Sequence, residues 1–227
     1  MSIYALFIFF AILSWIIQRI LKSKFNKYSK VPIAMGLTGK DVAERMLKEH
    51  GITDVQVQHT GGMLTDHYNP QTKIVNLSDG VYSSNSIAAA AIAAHECGHA
   101  VQHAKAYAFL TLRSKLVPSV SFASKWMQWI LLAGILTLSS FPQLMLAGIV
   151  LFAMTTLFSF ITLPVEINAS KRAIAWLSNA GITNNTTYPM ATDALRWAAY
   201  TYVIAALSSL ATLVYYIFLF LGGSRRN

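Results

Sequence analysis

The chain has 227 residues, of which 55% are hydrophobic, 12% aromatic and only 12% charged. Soluble domains carry about 25% charged residues, so this composition excludes an ordinary water-soluble domain, and the apolar content excludes a disordered chain. A single cysteine excludes a disulfide framework, and a formal net charge of +9 raises the question of where the basic residues sit relative to the apolar blocks.

Met1 to Gln18 carries no charge, and Arg19, Lys22, Lys24, Lys27 and Lys30 follow at once. A cleaved signal peptide has the reverse order, with its positive charge ahead of the apolar run. Residues 1–21 therefore read as an N-terminal transmembrane helix. Residues 22–125 read as a small domain. Thr38 with Asp41 three residues later predicts a capped helix start, Val42, Met46 and Leu47 give that helix an apolar face, and Gly51 is a natural stop. Val55 to Gln58 alternates with the period of a half-buried strand. Leu64–Tyr68 and Lys73–Leu77 flank Asn69-Pro70-Gln71-Thr72 and predict a β-hairpin, whose edge could bind an extended peptide. Ser83 to Ser86 offers several N-caps for the run Ile87 to Ala94, which is too short to span a bilayer and predicts a buried, closely packed helix.

Trp126 to Val165 has no charge at all. As one helix it would be about 60 Å long, twice the ~30 Å hydrocarbon core, so a transmembrane hairpin is expected over 126–165, turning at Ser139–Gln143. Residues 166–196 form a second polar segment, and 197–227 a last transmembrane helix. The expected class is a mainly α integral membrane protein with four transmembrane helices and a small α+β core. Lys22 to Lys125 holds twelve of the eighteen basic residues, and Lys171, Arg172 and Arg196 lie in the second polar segment. The positive-inside rule puts both polar segments in the cytoplasm; only Arg225 and Arg226 disagree. Lys22, Lys24, Lys27 and Lys30 also suit contact with anionic membrane lipids. No glycine-rich phosphate loop and no basic–aromatic pattern points to nucleic acid.

The chemistry is concentrated at His95-Glu96-Cys97-Gly98-His99, an H-E-x-x-H motif on a helix. Residues four apart share a face, so both imidazoles can reach one zinc ion. Zinc lowers the pKa of bound water to about 7, and Glu96 is placed to take the proton and pass it to the leaving amine. Gly98 would leave room near the metal, and Cys97 would pack as a small apolar side chain. A catalytic site wants a third protein ligand, for which there are two candidates. His103 continues the stripe of His95 and His99 but lies about 12 Å along the axis from His95, which suits an outer hydrogen bond or a substrate contact better. Glu166 is the only charge between Lys125 and Lys171 and follows Pro164 at the end of an apolar span. For the developing oxyanion, Tyr202, His67, Tyr68 and Tyr107 are candidates, with Tyr202 first because Pro189–Trp197 reads as a helix leading into the last span.

Tyr28-Ser29-Lys30-Val31, Leu64 to Pro70, His95 to His103 and Leu163 to Ser170 together resemble the bacterial YugP-like neutral zinc metallopeptidases, which are membrane gluzincins. The resemblance implies His95, His99 and Glu166 as zinc ligands and Glu96 as catalytic base. HtpX-like and CAAX-type membrane gluzincins usually read Glu-x-x-Ala-Asp around the third ligand, where the aspartate supports a zinc histidine. This chain has Ser170 there, so Ser170, Asn168 or a backbone carbonyl would take that role.

The expected function is a membrane-embedded zinc endopeptidase, with one catalytic zinc ion, that hydrolyses peptides or membrane proteins at the cytoplasmic face of the cell membrane. The alternatives are a membrane scaffold or binding protein with a structural zinc or none, and a zinc hydrolase of a non-peptide substrate.

Overall fold

The computed structural model describes residues 3–224, so Arg225, Arg226 and the chain end at Asn227 lie outside the described residues. The protein is mainly helical with one small sheet. It divides into two compact units, one of Met1–Ile16, Thr111–Leu163 and Thr201–Asn227, the other of Ile17–Leu110 and Pro164–Tyr200.

The first unit is built from apolar helix. Helices α1 (Ile3–Tyr28), α6 (Pro142–Asn179) and α7 (Thr187–Ser224) contain, among the described residues, the three stretches long and apolar enough to cross a membrane. The expected fourth, in α5 (Ala108–Leu136), is different. Arg113, Lys115 and Lys125 lie within α5, and its charge-free part, Trp126–Leu136, is shorter than the ~20 residues a span needs. The expected turn is present: the helix breaks after Leu136 and α6 begins at Pro142. Glycine sets how closely α5 and α6 pack. A Cβ on Gly134 would lie 2.6 Å from Met145 Cα, and one on Gly148 would lie 2.8 Å from Leu131 Cδ2. Leu131, Met145 and Ile149 bury themselves at this contact. Thr156 and Ser209 share a 2.6 Å hydrogen bond between α6 and α7, as small polar residues do between apolar helices.

The second unit packs around α4 (Ile87–Ala104). Ser86 caps it by accepting from the Ala89 N–H at 3.2 Å. Ile87 to Ala91, Ala93 and Ala94 are almost fully buried, because small side chains let neighbouring elements approach on every side. One neighbour is α2 (Gly39–Glu49), which opens with the expected capping box: Thr38 Oγ1 accepts from the Asp41 N–H, and the Asp41 carboxylate accepts from the Thr38 N–H at 2.8 Å. Its stop is also as expected, with Gly51 in the left-handed region at φ 69°. Val42, Ala43, Met46 and Leu47 of α2 bury against the alanines of α4.

A three-stranded sheet completes this unit in the order β1-β3-β2, with β1 (Gln56–His59) parallel and β2 (His67–Asn69) antiparallel to β3 (Ile74–Leu77). The hairpin turn is where the sequence puts it, and Asn69 Oδ1 closes it by accepting from the Gln71 and Thr72 N–H groups. Both strands are shorter than expected. Leu64 has φ 58° and Lys73 φ 55°, left-handed conformations outside the β region, so both fall outside the strands; β2 starts at His67 and β3 at Ile74. Short helix α3 (Asp79–Tyr82) leads from β3 toward α4.

The long helices run past the expected domain limits. In place of an end at residue 21, α1 continues to Tyr28, whose hydroxyl donates to Asp193 at 2.5 Å while Lys24 pairs with the same carboxylate at 2.7 Å. Helix α6 continues beyond 165 to Asn179, and α7 begins at Thr187, so the helix expected over Pro189–Trp197 runs unbroken into the last apolar stretch.

Candidate metal centre

The H-E-x-x-H residues occupy the third turn of α4, and Glu166 lies on α6 within the same unit. Glu166 Oε2 is 3.4 Å from His95 Nε2 and 3.5 Å from His99 Nε2. The ligand atoms of the three residues all lie within 4.8 Å of one another. Zinc binds nitrogen and carboxylate oxygen at about 2.0–2.2 Å, so tetrahedral ligand atoms stand about 3.3–3.5 Å apart. The two histidine–glutamate separations fit that geometry. Glu166 and His99 are buried and His95 is nearly so, which gives the group a dry setting in which an ion is held strongly.

The far side of each imidazole is also held. Gln102 Nε2 donates to the Val165 carbonyl at 2.8 Å and to Asn168 Oδ1 at 3.0 Å. That fixes the amide so that Gln102 Oε1 accepts from His99 Nδ1 at 3.0 Å. His99 therefore keeps its proton on Nδ1 and directs the Nε2 lone pair toward Glu166, which is the tautomer a metal ligand needs. His95 Nδ1 hydrogen-bonds Ser170 Oγ at 3.1 Å. Of the candidates for this role, Ser170 touches a metal-site histidine directly, whereas Asn168 acts on Gln102 and accepts from Arg172 Nε at 2.7 Å. Burial opposes a charged His99, but the Glu166 and Glu96 carboxylates outweigh it, so without a cation His99 is held above its ordinary pKa.

Gly98 has another purpose than room at the metal. A Cβ there would lie 2.7 Å from the Ala169 carbonyl oxygen and 3.2 Å from its carbon, so glycine lets α4 and α6 approach with their ligands facing. Cys97 is fully buried near the Ala43 carbonyl, and burial pushes its thiol well up, in keeping with a packing role.

Glu96 faces the sheet. Its Oε2 accepts from the Tyr68 main-chain N–H on β2 at 3.0 Å. The Tyr68 hydroxyl hydrogen-bonds His103 Nδ1 at 2.8 Å, so His103 is exposed but engaged with the sheet, and it stands outside the His95, His99 and Glu166 group. Among the oxyanion candidates, His67 is engaged within the hairpin by the Thr65 carbonyl and Asn76 Nδ2, and Tyr68 spends its hydroxyl on His103. Tyr107 sits in the break after α4 with its ring beside Phe109. Tyr202 lies on α7 in the other unit. Two features were not legible as functional in the sequence. A main-chain donor on Glu96 leaves no trace in side-chain chemistry. Gln102 does leave one, a polar amide three residues after His99 and seven after His95, on the same face of the helix as both.

Residues 3–221 match a family model described as "Putative neutral zinc metallopeptidase". The chain is 44% identical over 226 residues to the "Putative membrane protease YugP" of Bacillus subtilis (strain 168), covering 98% of this chain and 100% of that protein. No solved structure matches it. The match runs through every segment that builds the site, and the chain belongs to this neutral zinc metallopeptidase family.

Proposed function

We propose that the protein is a membrane-embedded zinc endopeptidase that cleaves peptide bonds at the cytoplasmic face. The observation that carries this reading is the convergence of His95, His99 and Glu166, each imidazole fixed from behind, beside a Glu96 carboxylate that stands outside the ligand set. His95, His99 and Glu166 would hold one zinc ion. When bound, zinc supplies Lewis acidity that polarises a carbonyl and acidifies water. Glu96 takes a proton from the attacking water on its carboxylate and returns it to the leaving amine. The outer edge of β2 holds the substrate main chain as an added strand. Attachment to the bilayer raises the effective concentration of membrane proteins and membrane-bound peptides. In this reading Leu116–Leu136 of α5, with Lys125 as its one charge, makes a fourth crossing alongside α6, and the basic segments between spans face the cytoplasm with membrane lipids at their flanks.

Protein purified in detergent tests the assignment. The expected result is about one zinc per chain, retained but without peptidase activity in Glu96→Gln and lost in Glu166→Ala. Full activity in Glu96→Gln, or native protein without zinc, overturns it. A reporter fused after Asn227 is expected outside the cell, and a cytoplasmic signal rejects the topology.

A further inference from the structure

Glu96 and His103 are seven residues apart on α4, two helical turns, and so lie on one stripe about 10.5 Å apart along the axis. Tyr68 reaches both, with its main-chain N–H on Glu96 and its hydroxyl on His103. A strand residue held at both points cannot slide along the helix or roll over it. β2 needs such fixing, because it is three residues long, at the edge of the sheet, and follows a loop with Gly62 and Leu64 at positive φ. So short a strand specifies its own position weakly. Burial, with the nearby Asp54 charge, pushes the Tyr68 phenol up to about 12, so it keeps its proton for the imidazole at neutral pH. His103 is exposed, and a hydrogen bond there adds little to global stability. Its consequence is local, at the strand that holds Glu96.

We propose that His103 is a positioning residue: through the Tyr68 hydroxyl it seats β2 on α4, so that the Tyr68 main-chain N–H holds the Glu96 carboxylate in place. The role rests on Glu96 as the proton acceptor, but the seating itself can be measured without turnover. Amide hydrogen exchange and peptidase kinetics on the zinc-loaded full chain in detergent test both. In His103→Leu and in Tyr68→Phe, exchange at the Tyr68 amide is expected to rise about tenfold, with the Val75 and Leu77 amides unchanged. Zinc content is expected to stay at the parent level, and kcat to fall about tenfold with KM held. The double variant should be no worse than either single one, and His103→Gln should recover most of the loss. An unchanged Tyr68 amide in both single variants overturns the proposal, as do additive losses in the double variant. If the parent cleaves no peptide, the endopeptidase reading fails while exchange at Tyr68 still decides the seating.

Discussion

Replacing Gly98 with alanine would add one methyl group at the closest approach of α4 and α6. On the present backbone the new Cβ would lie 2.7 Å from the Ala169 oxygen and 3.2 Å from its carbon and Cα. All three are backbone atoms, so no side chain can rotate away. Restoring ordinary contact requires the helices to part by roughly half an ångström, which is about the tolerance within which a functional constellation must be held. Overpacking costs about 1–3 kcal/mol, against a gain of up to about 1 kcal/mol from replacing a helical glycine. The fold therefore survives with modest loss. The metal site fares worse, because α4 carries His95 and His99 while Glu166 is three residues from Ala169 on α6. Zinc affinity, measured by competition with a chelator, is expected to fall about 10–100-fold. Gly222→Ala, with nothing within 4 Å of its Cβ, is the control and should bind zinc as the parent does. Parent-like affinity in Gly98→Ala would refute the idea that this contact sets the spacing of the ligands.

Gln102→Leu removes the acceptor of His99 Nδ1 and should weaken zinc binding about 10–100-fold, with a further stability loss of about 1–3 kcal/mol from the orphaned buried groups, read by thermal melting. Thr38→Ala breaks the capping box of α2 and should cost about 0.5–2 kcal/mol at neutral pH. Hydrogen bonds from the Thr38 hydroxyl and main chain hold Asp41 below its ordinary pKa, so this stability is present above about 3.8 and is lost as pH falls through the lower folded value. The difference in melting temperature between parent and Thr38→Ala should accordingly shrink in acid. His99 has the opposite sign: in metal-free protein its raised pKa contributes stability below about 6.5 that is lost as pH rises through the folded value. Zinc needs the deprotonated ring, so chelator competition should show zinc binding weakening as pH falls through that same value, and a pH-independent affinity would contradict it.

Local signals in the sequence carried much of this fold. Thr38 and Asp41, Gly51, Ser86 and Asn69 each act through bonds to residues within four positions, and each appears where its pattern predicts. His95 and His99 are legible for the same reason, since a helix brings them together by its own period. Glu166 stood out because a carboxylate abutting an apolar helix is costly without a partner. Long-range geometry was less visible. The close approach of Gly98 to Ala169 depends on two helices separated by more than sixty residues, and glycine looks the same whether it clears space for an ion or for a backbone. The strands begin later than their side-chain pattern predicts, and the left-handed conformations of Leu64 and Lys73 leave no mark in that pattern. The fourth apolar stretch is ambiguous because Lys125 cuts α5 where a span would need to continue.

The bond from Tyr68 to Glu96 also shapes what the edge of β2 can accept. In an antiparallel pair a residue whose N–H points away from its partner strand turns its C=O outward as well, and residues two away face the same side. On the outer edge, then, Tyr68 presents a carbonyl while its donor is spoken for, and Pro70 has no N–H to offer. Such an edge is poor in donors, which guards it against pairing with strands of other molecules. It also makes the edge one-sided in its chemistry: a guest strand must bring the N–H itself, and a peptide with proline opposite the Tyr68 carbonyl would find no hold there.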